Sequence, residues 1–372
     1  MKSLFKYASL LAAAVMLSAC GNDNGEGGNE GVDDKVFYMT TDKDVIQSDG
    51  TDAATIKVFL GDEDVTELAT IYDEDDNEID LDGGIFVASK DGEYKFWAAY
   101  GTHMTYDTKK DDNGLMTIRA ISVAVPAVAE DPAPANTSFV RRTFLTQYTG
   151  NECGWCPNMI SVIRELFADN TIPDKAVLAA VHSYSNADPA YIASPKVNSY
   201  PFMHIDFTSG FSPESGSAPL YAVVNSNAAQ AADAGISVNP VLYQDEKLLV
   251  VRVSVKAAEE GNYRVGAWLL EDNIYARQAD NTGLADDSYN THEHCVRLVD
   301  SKHDGEWTGK PLGAIKAGKT MEKTFVMDLK KSWKVEELHL AVIVSKETKG
   351  GYAVCNAVDV PIDASTPFDY KK

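Results

Sequence analysis

The chain has 372 residues, with 56 aspartates and glutamates against 33 lysines and arginines, for a formal net charge of −23. So acidic a surface argues against nucleic acid and against docking on anionic lipid through basic patches, and it favours solubility and cationic partners. A chain of this length exceeds what one hydrophobic core holds, so two or three domains are expected.

At the N-terminus, Lys2 and Lys6 precede the apolar run LLAAAVMLSAC, which is too short and too close to the start to span a membrane. It ends in Leu17-Ser18-Ala19-Cys20, small residues placed before a cysteine. This tetrapeptide resembles the lipobox of bacterial lipoproteins. The resemblance implies a signal peptide over 1–19 that is cut before Cys20, and a diacylglycerol- and palmitate-bearing lipid on the Cys20 thiol. Residues 20–35 are rich in Gly, Asn and acids and lack core-forming side chains, so they read as a flexible tether.

From 36 to 125 the text is short alternating strands and Asp-Gly turns. Ile56, Val58 and Leu60 fall on one face of a strand, as do Tyr94, Phe96 and Ala98. Strands spaced this way predict a β-sandwich of immunoglobulin type. The acidic stretch DEDDNEIDLDGG misses the EF-hand pattern, because the sixth position counted from Asp73 is Glu78 and not glycine, and it reads as a solvated hairpin. Residues 126–138 carry Pro126, Pro132 and Pro134 without apolar periodicity and are expected to be a stiff linker.

A second module is predicted over 139–235. FVRRTFLTQYTG reads as a strand. Met159, Val162, Ile163, Leu166 and Phe167 recur at helical spacing, and KAVLAAVHSYS is a buried strand. SAPLYAVVNSNAAQAADAG (217–235) reads as a helix opened by Pro219 and closed by Gly235. Strand, helix, strand and helix make an α/β unit. Strands return over 236–372. Leu249, Val251, Val253 and Val255 share a face, and a second β-sandwich is expected there. Within it, THEHC places His292 and His294 on one side of a strand and Glu293 and Cys295 on the other. No further zinc ligand is indicated by spacing, so neither a metal nor a cofactor is expected. His182, on the buried strand, reads as a satisfied core histidine.

With Cys20 lipidated, Cys153, Cys156, Cys295 and Cys355 remain, an even number that permits two disulfides in an oxidising envelope. Cys295 and Cys355 are candidates for a structural bridge on that ground alone. Cys153-Gly-Trp-Cys156 opens a predicted helix. Unpaired amides and the helix dipole favour a thiolate there, and Pro157 suits the first turn. Cys153 is then the attacking sulfur and Cys156 the resolving one.

CGWCP between a strand and a helix resembles a thioredoxin-fold active site. That resemblance implies a cis-proline facing the cysteines, for which Pro201 is the candidate. Tyr200 then occupies the substrate-contacting position before it, and Trp155 is an apolar platform for a partner. The lipobox, QYTGNECGWCP, YRVGAWLLEDNIYARQ and NTHEHCVRLVD together resemble the outer membrane protein 28 family of Bacteroidetes. This implies an outer-membrane lipoprotein, surface-exposed or periplasm-facing, with a central thioredoxin-like α/β domain flanked by two immunoglobulin-like β-sandwiches. Two functions stay open: thiol–disulfide exchange with envelope or extracellular proteins, or binding and adhesion with a structural CGWC bond. Glycan hydrolysis lacks a carboxylate pair.

Overall fold

Alternating burial along short strands builds the N-terminal layer of the computed structural model, which describes residues 36–107, 114–195, 197–300 and 307–372. Cys20, the signal peptide and the tether lie outside these residues. One sheet pairs Phe37–Thr41 with Ala53–Leu60; the other runs Val45–Gln47, Met116–Ile121, Gly92–Tyr100, Thr70–Asp73 and Glu78–Ile79. Ile56, Val58, Phe96, Ala98 and Ile118 share the core that both sheets contribute to. The acidic stretch is an exposed hairpin whose Asp73 carboxylate accepts the N–H groups of Asp75 and Asn77.

The centre of the molecule is a nine-stranded sheet. Its strands in chain order are β1 (Thr143–Thr149), β2 (Ala176–His182), β3 (Phe202–Ile205), β4 (Ser209–Phe211), β5 (Gly261–Glu271), β6 (Cys295–Val299), β7 (Leu338–Thr348) and β8 (Gly351–Pro361). Across the sheet they run β4-β3-β1-β2-β6-β5-β7-β8, with Lys310–Ile315 also pairing β5. β1 and β2 are parallel, as a helical crossover requires, and β3 returns antiparallel to β1. The crossover is helix α1 (Pro157–Phe167). Its Met159, Val162, Ile163 and Leu166 pack on Leu145, Leu178 and Met203, together with Leu220 and Val224 of helix α2 (Ser217–Ala229). The sheet thus draws strands from both sides of residue 235.

Helix α2 ends at Ala229, short of the expected Gly235. Ala231–Ala232 pairs instead with Phe139–Val140, and Gly235 lies in the strand Ala234–Tyr243. A Cβ at Gly235 would come within 2.3 Å of the Phe139 ring, so the glycine serves close packing and not a helix stop.

Three strands, Ala234–Tyr243, Leu248–Ala257 and Thr320–Asp328, form a further sheet that buries Leu249, Val251, Val253 and Val255 against β5 and β7. Leu248, Val250 and Val326 share another cluster with Val45, Ile121 and Val123 of the N-terminal layer. Covered on both faces, this strand reads as a nearly continuous apolar run. Arg119 adds a fork of hydrogen bonds to the Asp328 carboxylate.

The proline segment 126–138 is held along the protein. Lys256, only 2% exposed, donates through Nζ to the Asp131 carboxylate (3.0 Å), the Pro134 carbonyl (2.6 Å) and the Tyr370 hydroxyl (3.1 Å). Asn239 and Tyr243 donate to the carbonyls of Ala127 and Ala124. Lys256→Met, which keeps the stem and removes the donors, is expected to lower stability by about 1–3 kcal/mol, the usual cost of stranding buried acceptors. Chemical denaturation measures it, and faster proteolysis within 126–138 should accompany it.

Candidate functional site

The two cysteines sit where β1 gives way to α1. The chain turns at Gly150, whose carbonyl accepts the Cys153 N–H, and Cys156 is the N-cap of α1, with Pro157 at its first position. Cys153 and Cys156 form a disulfide with Cα atoms 5.4 Å apart. Both are buried, at 2% and 0% exposure, whereas Trp155 between them is 56% exposed. Gly150 has no room for a side chain: a Cβ there would lie 2.7 Å from that of Tyr184. The Tyr184 ring stands edge-on to Tyr200, whose hydroxyl meets Ser183 Oγ at 2.9 Å. The Tyr200–Pro201 peptide is cis. Because β3 is antiparallel to β1 and pairs Phe202 with Tyr148, this peptide lies at the sheet end from which β1 runs towards Cys153.

A strap from the distant segment 272–294 covers the pair. The N–H of Ala279 donates to the Asn151 carbonyl and that of Asn281 to the Gly154 carbonyl, both at 2.7 Å. The Gln278 side-chain amide donates to the Cys153 carbonyl at 3.0 Å. Beside the strap opens a cavity of about 730 Å³ lined by Asn151, Glu152, Arg277, Asp280, Asp286 and Asp287 among others. These strap residues are polar and aperiodic; Gln278 closes the segment YRVGAWLLEDNIYARQ, and nothing in that segment ties it to the cysteines.

A second sulfur lies nearby in a different setting. Cys295 Sγ is 3.5 Å from His182 Nε2, and His182 Nδ1 is 2.8 Å from Asp188 Oδ2. Asp188 also accepts the N–H groups of Asn151 and Ala190, which ties this cluster to the cysteine loop. Burial raises the Asp188 carboxyl, but the His182 contact and the backbone donors outweigh it and hold the group down at about 2. Burial pushes the Cys295 thiol well up, and that of Cys355 likewise.

The expected Cys295–Cys355 bridge does not form; both are buried free thiols. Cys295 is in β6 and Cys355 in β8, three strand spacings or at least about 14 Å away, and the register offsets them further along the strands. A disulfide needs Cα atoms within about 7 Å. His292 and His294 do not share a side either. The strand Thr291–His292 stops before His294, which has a φ of 55°. His292 contacts the Ala276 carbonyl and the His182 ring, whereas the His294 side chain lies beside Asp272.

The family model for outer membrane protein Omp28 matches residues 188–365. Over those residues the chain is similar to the Omp28 family. The match bears out the resemblance carried by the segments around Trp268 and His292, supports an outer membrane protein, and begins beyond the CGWC pair. Among solved structures, HBP35 of Porphyromonas gingivalis is similar with a TM-score of 0.51 and 14% identity, over 64% of this chain and 80% of that one. At that identity it informs the fold alone. The sporulation control protein Spo0M of Bacillus subtilis overlaps 37% of this chain and 50% of its own, at 12% identity and a TM-score of 0.21. No curated protein matches the chain. Among the described residues, no helix is long and apolar enough to cross a membrane.

Two outcomes follow from this geometry. Gln278→Ala should loosen the strap by removing about 1 kcal/mol of hydrogen bonding. It is expected to speed reduction of the disulfide by dithiothreitol about 5-fold, read by thiol alkylation and mass; an unchanged rate would remove the strap's protective role. The second concerns Asp188, whose folded pKa of about 2 lies below its ordinary 3.8. Its contribution of about 2 kcal/mol is therefore present above pH 4 and lost as pH falls through 2. Asp188→Asn should flatten that part of the acid-unfolding curve.

Proposed function

We propose that the protein is a lipid-anchored outer-membrane protein that exchanges disulfides through a thioredoxin-like unit between two immunoglobulin-like β layers. Cys20 carries the anchor, and the partners are envelope or extracellular proteins. One observation carries the reading: the cysteine pair lies at a strand-to-helix junction, with Cys156 capping α1, at the sheet end that also holds Tyr200 and Pro201. The reduced Cys153 thiolate attacks a partner disulfide, one partner sulfur leaves as thiolate, and a mixed disulfide forms. Cys156 then attacks Cys153 Sγ, the partner's second sulfur leaves, and the pair ends oxidised with the partner reduced. Amides at the start of α1 favour the thiolates. Trp155 and Tyr200 form the apolar approach.

A second reading, binding or adhesion with a permanent structural disulfide, is favoured by the burial of both sulfurs and by the strap across 151–154. One pair of measurements separates the two. With Cys156→Ala, exchange predicts mixed disulfides on Cys153 with envelope proteins. The wild-type pair should also have a reduction potential above about −300 mV. An empty trap together with a lower potential would leave the structural bond.

A further inference from the structure

We infer that Asp272, His294 and His339 form a binding site for one divalent transition-metal ion of the zinc class. The three residues come from neighbouring strands of the large sheet: Asp272 directly follows β5, His294 directly precedes β6, and His339 lies in β7. The registers Glu271↔Cys295 and Leu270↔His339 bring them to one end of these strands. Their donor atoms all lie within 4.8 Å of one another. Asp272 Oδ1 is 3.4 Å from His339 Nε2 and 3.8 Å from His294 Nδ1. Four donors placed tetrahedrally at roughly 2.0–2.1 Å from zinc are about 3.4 Å apart, so the two edges from Asp272 are close to those of such a site.

The ring nitrogens support a ligand independently. His294 Nδ1 and His339 Nε2 are both buried and face the Asp272 carboxylate only as ion-pair contacts, at 3.8 and 3.4 Å, without a hydrogen bond of good geometry. Buried polar atoms are nearly always satisfied, and one cation would satisfy both. The opposite nitrogen of His339, Nδ1, lies 2.7 Å from Asp359 Oδ1. A carboxylate on the far side of a ligating imidazole fixes its tautomer and raises its basicity. His294 is held in place from the backbone: its own N–H donates to Asp272 Oδ1 at 2.6 Å, and its positive φ turns the chain there. Two imidazoles and one carboxylate suit zinc and its borderline neighbours better than calcium or magnesium, which take oxygen donors. Three protein ligands leave a fourth position for water. The competing arrangement is an ion-pair chain, Asp272–His339–Asp359, without metal.

Calorimetric titration of the full chain, stripped with a chelator, with zinc chloride at about 150 mM salt and excess magnesium suppresses diffuse binding to surface acids. One zinc per chain is expected. His294→Ala and His339→Ala should each weaken binding by more than the roughly 10–100-fold expected for Asp359→Asn. In the wild-type protein, zinc should shift the imidazole NMR signals of His294 and His339, a test that does not depend on any variant folding. The absence of saturable heat would overturn the site, as would binding undiminished in both histidine variants or imidazole signals of both rings unchanged by zinc.

Discussion

The molecule depends on a narrow seam. β2 meets β6 in parallel through one register pair, Ala180 with Cys295, and the Ala180 N–H donates to the His294 carbonyl at 2.8 Å. That contact turns an α/β unit and a β unit into one sheet. It also dictates where segment 272–294 goes. The chain leaves β5, re-enters at β6 beside β2, and in between rests against α1. Arg164 of α1 stacks 3.9 Å above the Tyr289 ring and donates to Ser288. The strap reaches the cysteines because the seam leaves it there.

This placement changes the chemistry available to the disulfide. In an open strand-to-helix junction the first sulfur faces water, and its backbone neighbours offer free carbonyls to an incoming peptide. Here the carbonyls of Asn151, Cys153 and Gly154 are already taken by residues 278–281. A partner approaching along that path must replace those hydrogen bonds with its own, an exchange of near-equal bonds and therefore a small net cost.

What the sequence made legible was local. The α1 face, with Met159, Val162, Ile163 and Leu166, follows from spacing, and the N-terminal strands follow from alternation at Ile56 and Val58. The cysteine pair announces itself by its two-residue gap. Features made by distant pairing were not legible. α2 stops at Ala229 because Ala231–Ala232 pairs with Phe139–Val140, a contact across roughly ninety residues of chain that no helix-stop signal encodes. Lys256 turns a proline linker into a docked segment by burying an ammonium group, which composition would place on the surface. His294 leaves the side of His292 through one positive φ, whereas strand periodicity assumes an unbroken strand.

Cys295, His182 and Asp188 show why residue types in order do not make a catalyst. Thiol, imidazole and carboxylate stand in sequence with the second contact at 2.8 Å, an arrangement that elsewhere activates a nucleophile. Every member is buried, and the thiol is driven towards its neutral form where an active one would be ionised. Cys295 itself is 0% exposed. The carboxylate is instead engaged by the Asn151 and Ala190 amides, so the histidine and the acid brace the loop that presents Cys153. The same interior that holds Cys295 as a neutral thiol gives the CGWC turn a fixed foundation.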